Sequence, residues 1–247
     1  MLLIEIRRIH QQSKASYGSP RITEELKARG LKASRPRVAR IMRQNGLRAV
    51  HAKKFVVTTN SKHEYPVVAN KLDRDFTAKQ PGMAWVSDIT YIKTQQGWLY
   101  LTVILDLFDR KVIGWSQSSR MNAIHTTIAA WKMAIQNRCP SEKLIFHSDR
   151  GVQYACSEFV RLLDNYPGVE RSMSRKGNCW DNAVAESFFK SLKVELVYRN
   201  HYQNKRQAAL SIFEWIETWY NRYRRHTALG NRSILEFEQF IKPNLAA

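Results

Sequence analysis

The spacing of apolar residues changes about a third of the way along the chain. Up to residue 50 the apolar positions recur at helical intervals between glycines and prolines, and this pattern predicts three short helices at 2–12, 22–30 and 34–46. In the third helix, Ser34 is the expected N-cap and Gly46 the expected C-cap.

The third predicted helix separates apolar from basic side chains. Four apolar residues can pack inward, namely Val38, Ile41, Met42 and Leu47. Four arginines stay on the outside, namely Arg35, Arg37, Arg40 and Arg43. Short helices that end in an arginine-lined helix are typical of a helix-turn-helix segment that lays its basic face on DNA. A small helical bundle with a solvated charged face is the alternative.

From residue 83 onward the pattern changes to strands. Three runs predict two successive hairpins, with strands at 83–92, 98–108 and 111–118. A helix, a strand, a second helix and a second strand are predicted next, at 122–137, 143–149, 156–165 and 169–173. A helix that carries Glu186 follows, with Asp181 and Asn182 as capping residues, and then an aromatic helix near 205–223. This order indicates an α/β sheet with helices on its faces.

The charge of the chain indicates a polyanionic partner. Its 40 Lys and Arg against 21 Asp and Glu give a net charge of +19 at pH 7, and a balance this basic most often accompanies binding to nucleic acid. Residues 1–80 carry 18 of the basic and 6 of the acidic residues, so the first third of the chain carries most of the excess. Ordinary solubility charge is the alternative.

Cysteine usage and hydropathy narrow the class of protein further. Cys139, Cys156 and Cys179 are widely spaced and form no CxxC pair, which disfavours a disulfide framework and a zinc site. No apolar run approaches the roughly 18 residues of a membrane-spanning helix. We therefore expect a cytoplasmic protein without a membrane partner and without zinc.

Three carboxylates fall on predicted elements in positions that suit a catalytic site. Asp88 lies within the first strand, where an ionised carboxylate is costly unless it is paired or bound to a cation. Asp149 ends the fourth strand, and ligand sites in α/β sheets favour such strand ends. Glu186 lies on a helix whose apolar residues would anchor it to the sheet. Structural alternatives are an arginine partner for Asp88 and a turn that begins at Asp149. Glu186 could instead form an ion pair with Lys190.

Such a set of carboxylates suits divalent metal ions. Mg²⁺ prefers oxygen ligands and is usually held by one or two carboxylates plus substrate phosphates. Two such ions can stabilise both the attacking and the leaving oxygen of a displacement at phosphorus. Basic residues beside the acids would meet the DNA phosphate, namely Lys190 and Lys193 on the helix of Glu186 and Arg175 and Lys176 in a mobile loop before it. Lysines that only solubilise an exposed helix are the alternative.

Several stretches of the sequence resemble one known family. They are WVSDITYI (85–92), GWLYLTVILDLFDRKVIGW (97–115), HSDRGVQY (147–154), SMSRKGNCWDNAVAESFFKSLKVE (172–195) and YNRYRRHTALG (220–230). They resemble the DDE transposases of the insertion-sequence 3 family, specifically the product of that family's second reading frame, whose catalytic core is similar to retroviral integrases. YGSPRITEELKARGL (17–31) and RPRVARIMRQNGL (35–47) match the helix-turn-helix segment that precedes the core in this family.

The resemblance implies a fold, a cofactor and site residues. The core would be RNase H-like, a mixed sheet flanked by helices, and a small all-α helix-turn-helix domain would precede it. Asp88, Asp149 and Glu186 would bind two Mg²⁺ or Mn²⁺ ions. The enzyme would cleave one strand at each element end and use the freed 3′-hydroxyl for strand transfer. Further family motif residues, which we expect to bind DNA, fall on Lys193, Arg224 and His226.

The same resemblance predicts domains and partners. The expected order is a helix-turn-helix DNA-binding segment (1–50), a basic linker (51–80), an RNase H-like catalytic core (81–200) and a C-terminal helical extension (201–247). The partners would be double-stranded DNA, as the terminal repeats and the target, and further copies of the chain in a synaptic complex. A first-reading-frame protein with a helix-turn-helix and a leucine zipper would be a third partner, joined to this chain by translational frameshifting.

One departure from the family pattern bears on the site. Residues 150–185 separate Asp149 from Glu186, one residue more than is usual in the family, and we expect a loop near 165–170 to absorb the addition.

Two other interpretations of the whole chain stay open. One is a catalytically inactive DNA-binding regulator or remnant of an element, and the other is a general RNase H-type nuclease.

Overall fold

The computed structural model describes residues 1–50 and 65–245. The first part of the predicted linker, 51–64, lies outside the described residues. The remainder packs on the central sheet and its helices as an irregular segment, and we call residues 70–76 the strap. Leu72 of the strap is buried. The backbone N–H groups of Lys71 and Leu72 donate to Oγ of Ser172 at 2.8 and 3.2 Å, which fastens the strap to the sheet.

The N-terminal residues form the three predicted short helices, which pack as a small bundle. It consists of α1 (Leu2–Gln12), α2 (Ser19–Ala28) and α3 (Arg35–Gln44). The buried apolar residues of the bundle are Ile6, Ile9, Tyr17, Ile22, Leu26, Val38 and Met42. Ile41 and Leu47 pack partly against them, which confirms the inward face predicted for α3. Gly46 follows the helix with φ +66°, the left-handed conformation that glycine favours at this position.

A mixed five-stranded sheet forms the centre of the molecule and confirms the predicted fold class. Its strands are β1 (Ala84–Thr94), β2 (Gly97–Asp106), β3 (Val112–Ser118), β4 (Leu144–Ser148) and β5 (Val169–Met173), in the spatial order β3-β2-β1-β4-β5. β1, β2 and β3 pair antiparallel, as expected for hairpins, whereas β4 and β5 run parallel to β1. The bounds of β5 coincide with the predicted strand.

Helices cover the two faces of the sheet, and alternate residues of β1 face opposite sides. Trp85 packs in the apolar cluster on one face and Val86 in the cluster on the other. The helices from the middle of the chain are α4 (Thr127–Asn137), the short α5 (Val152–Ala155), α6 (Ser157–Asp164) and α7 (Ala183–Glu195). Gly114 of β3 permits close packing of α4, because a Cβ there would lie 2.3 Å from the carbonyl oxygen of Ala130.

The C-terminal extension is more elaborate than the sequence pattern predicted. The aromatic helix divides into α8 (Lys205–Glu214) and a π-helical continuation (Trp215–Tyr223). An antiparallel pair of two-residue strands follows, β6 (Arg225–His226) and β7 (Arg232–Ser233), and then α9 (Ile234–Leu245). Strands this short carry no periodicity that a sequence could reveal. Within the described ranges, no helix is long and apolar enough to cross a membrane.

The extension also contacts the N-terminal bundle, chiefly through Arg225. The backbone N–H of Arg225 donates to Oη of Tyr17 at 2.7 Å, and its Nε donates to Oε2 of Glu25 on α2 at 2.7 Å. The other guanidinium nitrogens bind Glu236 of α9 at 3.0 and 3.1 Å. The ring centroids of Tyr17 and Trp219 lie 5.7 Å apart. Two parts of the chain that are remote in sequence therefore share one buried interface.

Candidate active site

Strand register places Asp88 and Asp149 side by side. β1 and β4 run parallel, and the last register pair joins Ser87 to Ser148. Asp88 and Asp149 are the next residues along these two neighbouring strands, so both emerge at the same edge of the parallel pair. The carboxyl end of β4 lies at this point, and α/β sheets bind their ligands at such strand ends.

Backbone N–H groups hold both carboxylates in place. The N–H of Ile89 donates to Oδ1 of Asp88 at 2.7 Å, and the N–H of Gly151 donates to Oδ1 of Asp149 at 2.9 Å. A Cβ at Gly151 would lie 3.0 Å from the same Oδ1, so the turn wraps closely around the carboxylate. Asp149 therefore begins a turn and also lies beside Asp88.

Burial and like charge raise the pKa of Asp88 well above its ordinary value. Desolvation is the largest cause, the negative charge of Asp149 is the next, and Glu186 adds a smaller repulsion. Lys193 acts in the opposite direction. Burial also raises the pKa of Glu186. Carboxylates that repel one another in this way are better accommodated when a cation lies between them.

Glu186 lies in the first turn of α7, which packs on the sheet through Ala185, Phe188, Phe189 and Leu192. Asn182 occupies the N-cap position, but its side chain makes no capping bond. Its Nδ2 donates instead to the carbonyl oxygen of Ser87 at 3.1 Å. This bond ties the beginning of the helix of Glu186 to the strand of Asp88.

The three acids do not form a closed metal cage. Among the residues that the structure describes, no group of three His, Cys, Asp or Glu side chains could hold a metal ion as it stands. Asp88 and Asp149 are adjacent, whereas Glu186 is near enough to affect the pKa of Asp88 without completing a cluster. An adjacent carboxylate pair still fits Mg²⁺, which usually takes one or two carboxylates and fills its other positions with water and substrate phosphate.

The two lysines predicted beside the acids differ in environment. Lys193 is partly buried; desolvation lowers its pKa, and the charge of Asp88 opposes that shift. Lys190 is exposed on the same helix. Lys193 is therefore the lysine in electrostatic contact with the acids, and Lys190 extends the positive surface outward.

The basic loop before α7 is anchored by a carboxylate that we expected only to cap the helix. Asp181 is fully buried. Its Oδ2 accepts from the backbone N–H and from Nε of Arg175, both at 2.9 Å, and its Oδ1 accepts from Nη2 of Arg175 and from Nε of Arg74 in the strap, both at 2.8 Å. The bonds from Arg175 are the main reason that the pKa of Asp181 lies far below its usual range. Arg175 is thus bonded within the protein although about half of its side chain is exposed, and Lys176 is also exposed.

The positions expected to bind DNA differ in accessibility. All four arginines of α3 are exposed, namely Arg35, Arg37, Arg40 and Arg43. Arg224 and His226 are each only 6% exposed, so their placement is not that of surface groups that meet a duplex. The burial of these two side chains departs from the expectation.

Arg224 binds Glu195 on the buried side of α7. Its Nε and Nη2 donate to Glu195 Oε1 at 3.0 and 2.9 Å, and its Nη2 also donates to Oγ of Ser191 at 2.9 Å. Nε1 of Trp219 donates to Oε2 of Glu195 at 3.2 Å. The ring of His226 packs edge-on against Tyr220, with 4.8 Å between centroids. Arg224 therefore joins the C-terminal extension to the helix of Glu186.

Most of the chain matches known protein families. Residues 78–179 match the family described as integrase core domain, and residues 167–233 match a second family with the same description. Residues 1–55 match the family described as HTH-like domain.

Two relatives are similar over nearly the whole chain. Transposase InsF for insertion sequence IS3A of Escherichia coli (strain K12) is 43% identical over 235 residues, which cover 95% of this chain and 80% of the relative. The insertion element IS600 uncharacterized 31 kDa protein of Shigella sonnei is 40% identical over 238 residues, which cover 96% of this chain and 87% of the relative.

Solved structures of viral integrases share the fold. The simian T-cell lymphotropic virus intasome, in complex with PP2A regulatory subunit B56 gamma, matches with a TM-score of 0.54 at 19% identity and covers 94% of this chain and 73% of that chain. The trimeric form of the HTLV-2 integrase catalytic core domain in complex with magnesium matches with a TM-score of 0.50 at 17% identity, over 65% of this chain and 98% of that chain. At this level of identity the likeness concerns the fold alone.

Proposed function

This chain belongs to the transposases of the insertion-sequence 3 family, and we propose that Asp88, Asp149 and Glu186 are its catalytic, metal-binding residues. It is a DNA transposase, a polynucleotidyl transferase of the DDE type with an integrase core. The observation that carries the residue assignment is the Ser87–Ser148 register pair, because it makes the two aspartates neighbours at the carboxyl end of β4.

The donor chemistry favours Mg²⁺ or Mn²⁺. All three proposed ligands are carboxylates, and hard oxygen ligands suit these ions better than zinc. His147, two residues before Asp149, is not available as a ligand, because its ring nitrogens bond to Oγ of Ser172 at 2.8 Å and Oγ of Ser174 at 3.1 Å. We propose two ions per site, which when bound would promote attack by a hydroxyl and stabilise the leaving oxygen.

The remaining groups of the site orient the DNA. The bond from Asn182 to Ser87 fixes the beginning of α7 relative to β1. Lys193 would supply positive charge to the scissile phosphate beside Asp88, and Lys190 and Lys176 would meet phosphates farther along the strand. The nucleophile is a hydroxyl of water in cleavage and the freed 3′-hydroxyl in strand transfer, so no covalent enzyme intermediate is required.

The N-terminal bundle is proposed to bind the terminal repeats as duplex DNA. The exposed arginines of α3 would contact phosphates and base edges, as the last helix of a helix-turn-helix does. Because Arg225 joins the bundle to the C-terminal extension, the bound duplex would be held at a fixed distance from the acids. The proposed units are residues 1–50, 51–80, 81–200 and 201–247.

We propose two partners besides DNA, because the chain belongs to the insertion-sequence 3 family. Paired cutting at two element ends calls for at least two copies of the chain in a synaptic complex. A first-reading-frame protein that carries a second helix-turn-helix and a leucine zipper would strengthen binding to the ends, as a fusion made by frameshifting.

A cleavage assay tests the proposed function. The protein and its Glu186→Gln variant are incubated with labelled duplexes that carry the element ends, with Mg²⁺, with Mn²⁺ and with EDTA. We expect metal-dependent nicking at the end by the parent protein and at least a hundredfold slower nicking by the variant, with duplex binding unchanged. Glu214→Gln, at an exposed acid on α8, is the matched control and should cut normally.

Other outcomes identify the rival functions. Salt-sensitive binding by both proteins without any nicking, even after addition of the first-reading-frame protein, would favour the inactive DNA-binding regulator. Metal-dependent cutting without preference for the element end would favour a general nuclease.

A further inference from the structure

An exposed tryptophan lies just before the helix that carries Glu186. Trp180 is 69% exposed, more than any other aromatic side chain in the described ranges. Neither the proposed metal site nor the packing of the core uses it. Exposing a large indole forfeits the favourable burial that aromatic side chains normally gain, and its exposure leaves the ring available to a partner outside the folded chain.

The backbone around Trp180 is held firmly. Trp180 belongs to the short 3₁₀ helix Cys179–Asn182 that leads into α7. The next residue, Asp181, is buried and accepts hydrogen bonds from Arg175 and Arg74. The residue after it, Asn182, donates to the carbonyl oxygen of Ser87. Trp180 is therefore fixed six residues before Glu186 while its ring projects into solvent.

The surroundings of Trp180 favour a nucleotide over an apolar protein partner. Lys176 is exposed in the loop before it, and Lys190 is exposed on the helix after it. Arg175 of the same loop keeps about half of its side chain exposed. A flat apolar ring next to a basic loop complements a base with its phosphate, and aromatic rings beside basic residues are how proteins hold unpaired bases without reading their sequence.

The other exposed tryptophan provides a contrast. Trp98 is 47% exposed at the hairpin between β1 and β2, and its ring packs edge-on against Tyr91 with 6.1 Å between centroids. Trp180 has no ring contact with another aromatic side chain among the described residues. Trp98 thus has a partner within its own sheet, and Trp180 presents an open ring face.

We propose that Trp180 stacks on an unpaired base at the DNA end that is being cut. This inference rests on the proposed function as a transposase. Unpairing the terminal bases as the strand enters the site would cost stacking energy. Stacking on Trp180 would restore part of that energy and hold the strand over Asp88 and Asp149.

A binding measurement tests the stacking role apart from catalysis. Affinity is measured with EDTA present for two versions of the element end, one fully paired and one with a few unpaired 3′-terminal nucleotides. Trp180→Ala should weaken binding to the frayed version by about 5- to 100-fold, as expected for loss of one stacked base. Binding to the paired version should stay within twofold. Trp180→Phe should keep most of the affinity, and Trp98→Ala should match the parent protein.

Two results would overturn the inference. One is a Trp180→Ala variant that binds frayed and paired ends as the parent does, and the other is an equal loss of affinity for both. The assay contains no metal and needs no cutting. The binding result can therefore be interpreted even if the assignment of the catalytic residues is wrong. Conversely, a parent protein that cuts DNA while Trp180→Ala binds frayed ends normally would refute only the role of Trp180.

Discussion

Asp88 and Asp149 occupy equivalent positions on two neighbouring parallel strands, each one residue beyond the register pair Ser87–Ser148. Residues 61 positions apart in the sequence thereby become neighbours. Burial and the charge of Asp149 raise the pKa of Asp88. The two carboxylates therefore repel each other at the place where a cation and a phosphate would bind. This pair is the structural basis of the proposed chemistry.

Neutralising one of these acids should stabilise the metal-free protein. We expect Asp88→Asn to increase the free energy of unfolding by about 1 kcal/mol at pH 7 in EDTA, because it removes a desolvated, repelled charge at a functional site. Urea denaturation measures this change. The exposed Asp164→Asn should alter stability by less than about 0.5 kcal/mol. An Asp88→Asn variant that is clearly less stable than the parent would show that the carboxylate has a favourable partner.

Loss of Glu195 should destabilise the fold strongly. Arg224 and Glu195 are each 7% exposed in their side chains and lie 2.9 Å apart. Glu195→Ala would leave the guanidinium buried without its partner, which typically costs about 3–5 kcal/mol. Thermal and urea unfolding measure the loss.

An exposed ion pair provides the control for the Glu195 experiment. Lys71 and Glu170 lie 3.0 Å apart, but about half of each side chain is exposed. Glu170→Ala should cost less than about 1 kcal/mol. Equal effects of the two substitutions would contradict the bracing role assigned to Arg224 and would return this arginine to the candidates for DNA contact.

His226 should make the protein sensitive to mild acid. Burial, and secondarily the charge of Arg224, lowers the pKa of His226 to about 3. The imidazole of His226 takes up a proton near pH 6.5 in the unfolded chain but only near pH 3 in the folded chain. Its contribution to the free energy of unfolding is therefore complete above pH 6.5 and is lost progressively as the pH falls from 6.5 to 3. Between pH 7.5 and pH 5 the loss from His226 alone should be about 2 kcal/mol.

A phenylalanine at this position measures the contribution of His226. His226→Phe preserves the edge-on contact with Tyr220, and urea denaturation should show a smaller loss of stability between pH 7.5 and pH 5 than in the parent. His147, whose pKa burial lowers to about 4, retains part of the dependence in both proteins. The exposed His201→Phe should behave as the parent. An unchanged pH dependence in His226→Phe would contradict a neutral, buried His226.

The sheet and the position of the acids were predictable from local pattern. β1, β2 and β3 follow runs of strand-forming residues separated by short turn signals, and the acids at positions 88 and 149 stand out because they interrupt or end apolar runs. The inward face of α3 was predictable for the same reason. These features depend on periodicity within one segment, which a single sequence contains.

The ion pairs that brace the site could not be predicted. Asp181 pairs with Arg74, 107 positions away, and Arg224 pairs with Glu195, 29 positions away. An arginine in a basic chain offers no local sign of whether it faces solvent or a buried acid. Glu195 carried one local signal, an acidic residue in the last turn of α7, where the helix dipole disfavours negative charge. Only tertiary contact gives these residues their roles.

The central claim is that Asp88 is a metal ligand in strand cleavage, and replacement by cysteine tests it most directly. A thiolate is a poor ligand for Mg²⁺ and a better one for softer ions such as Mn²⁺. We expect Asp88→Cys to cut element ends at a negligible rate with Mg²⁺ and to recover measurable, end-specific cutting with Mn²⁺, whereas Asp88→Ala should stay inactive with both ions. Cutting by Asp88→Cys in Mg²⁺ at the rate of the parent, or equal recovery of Asp88→Ala in Mn²⁺, would contradict the claim.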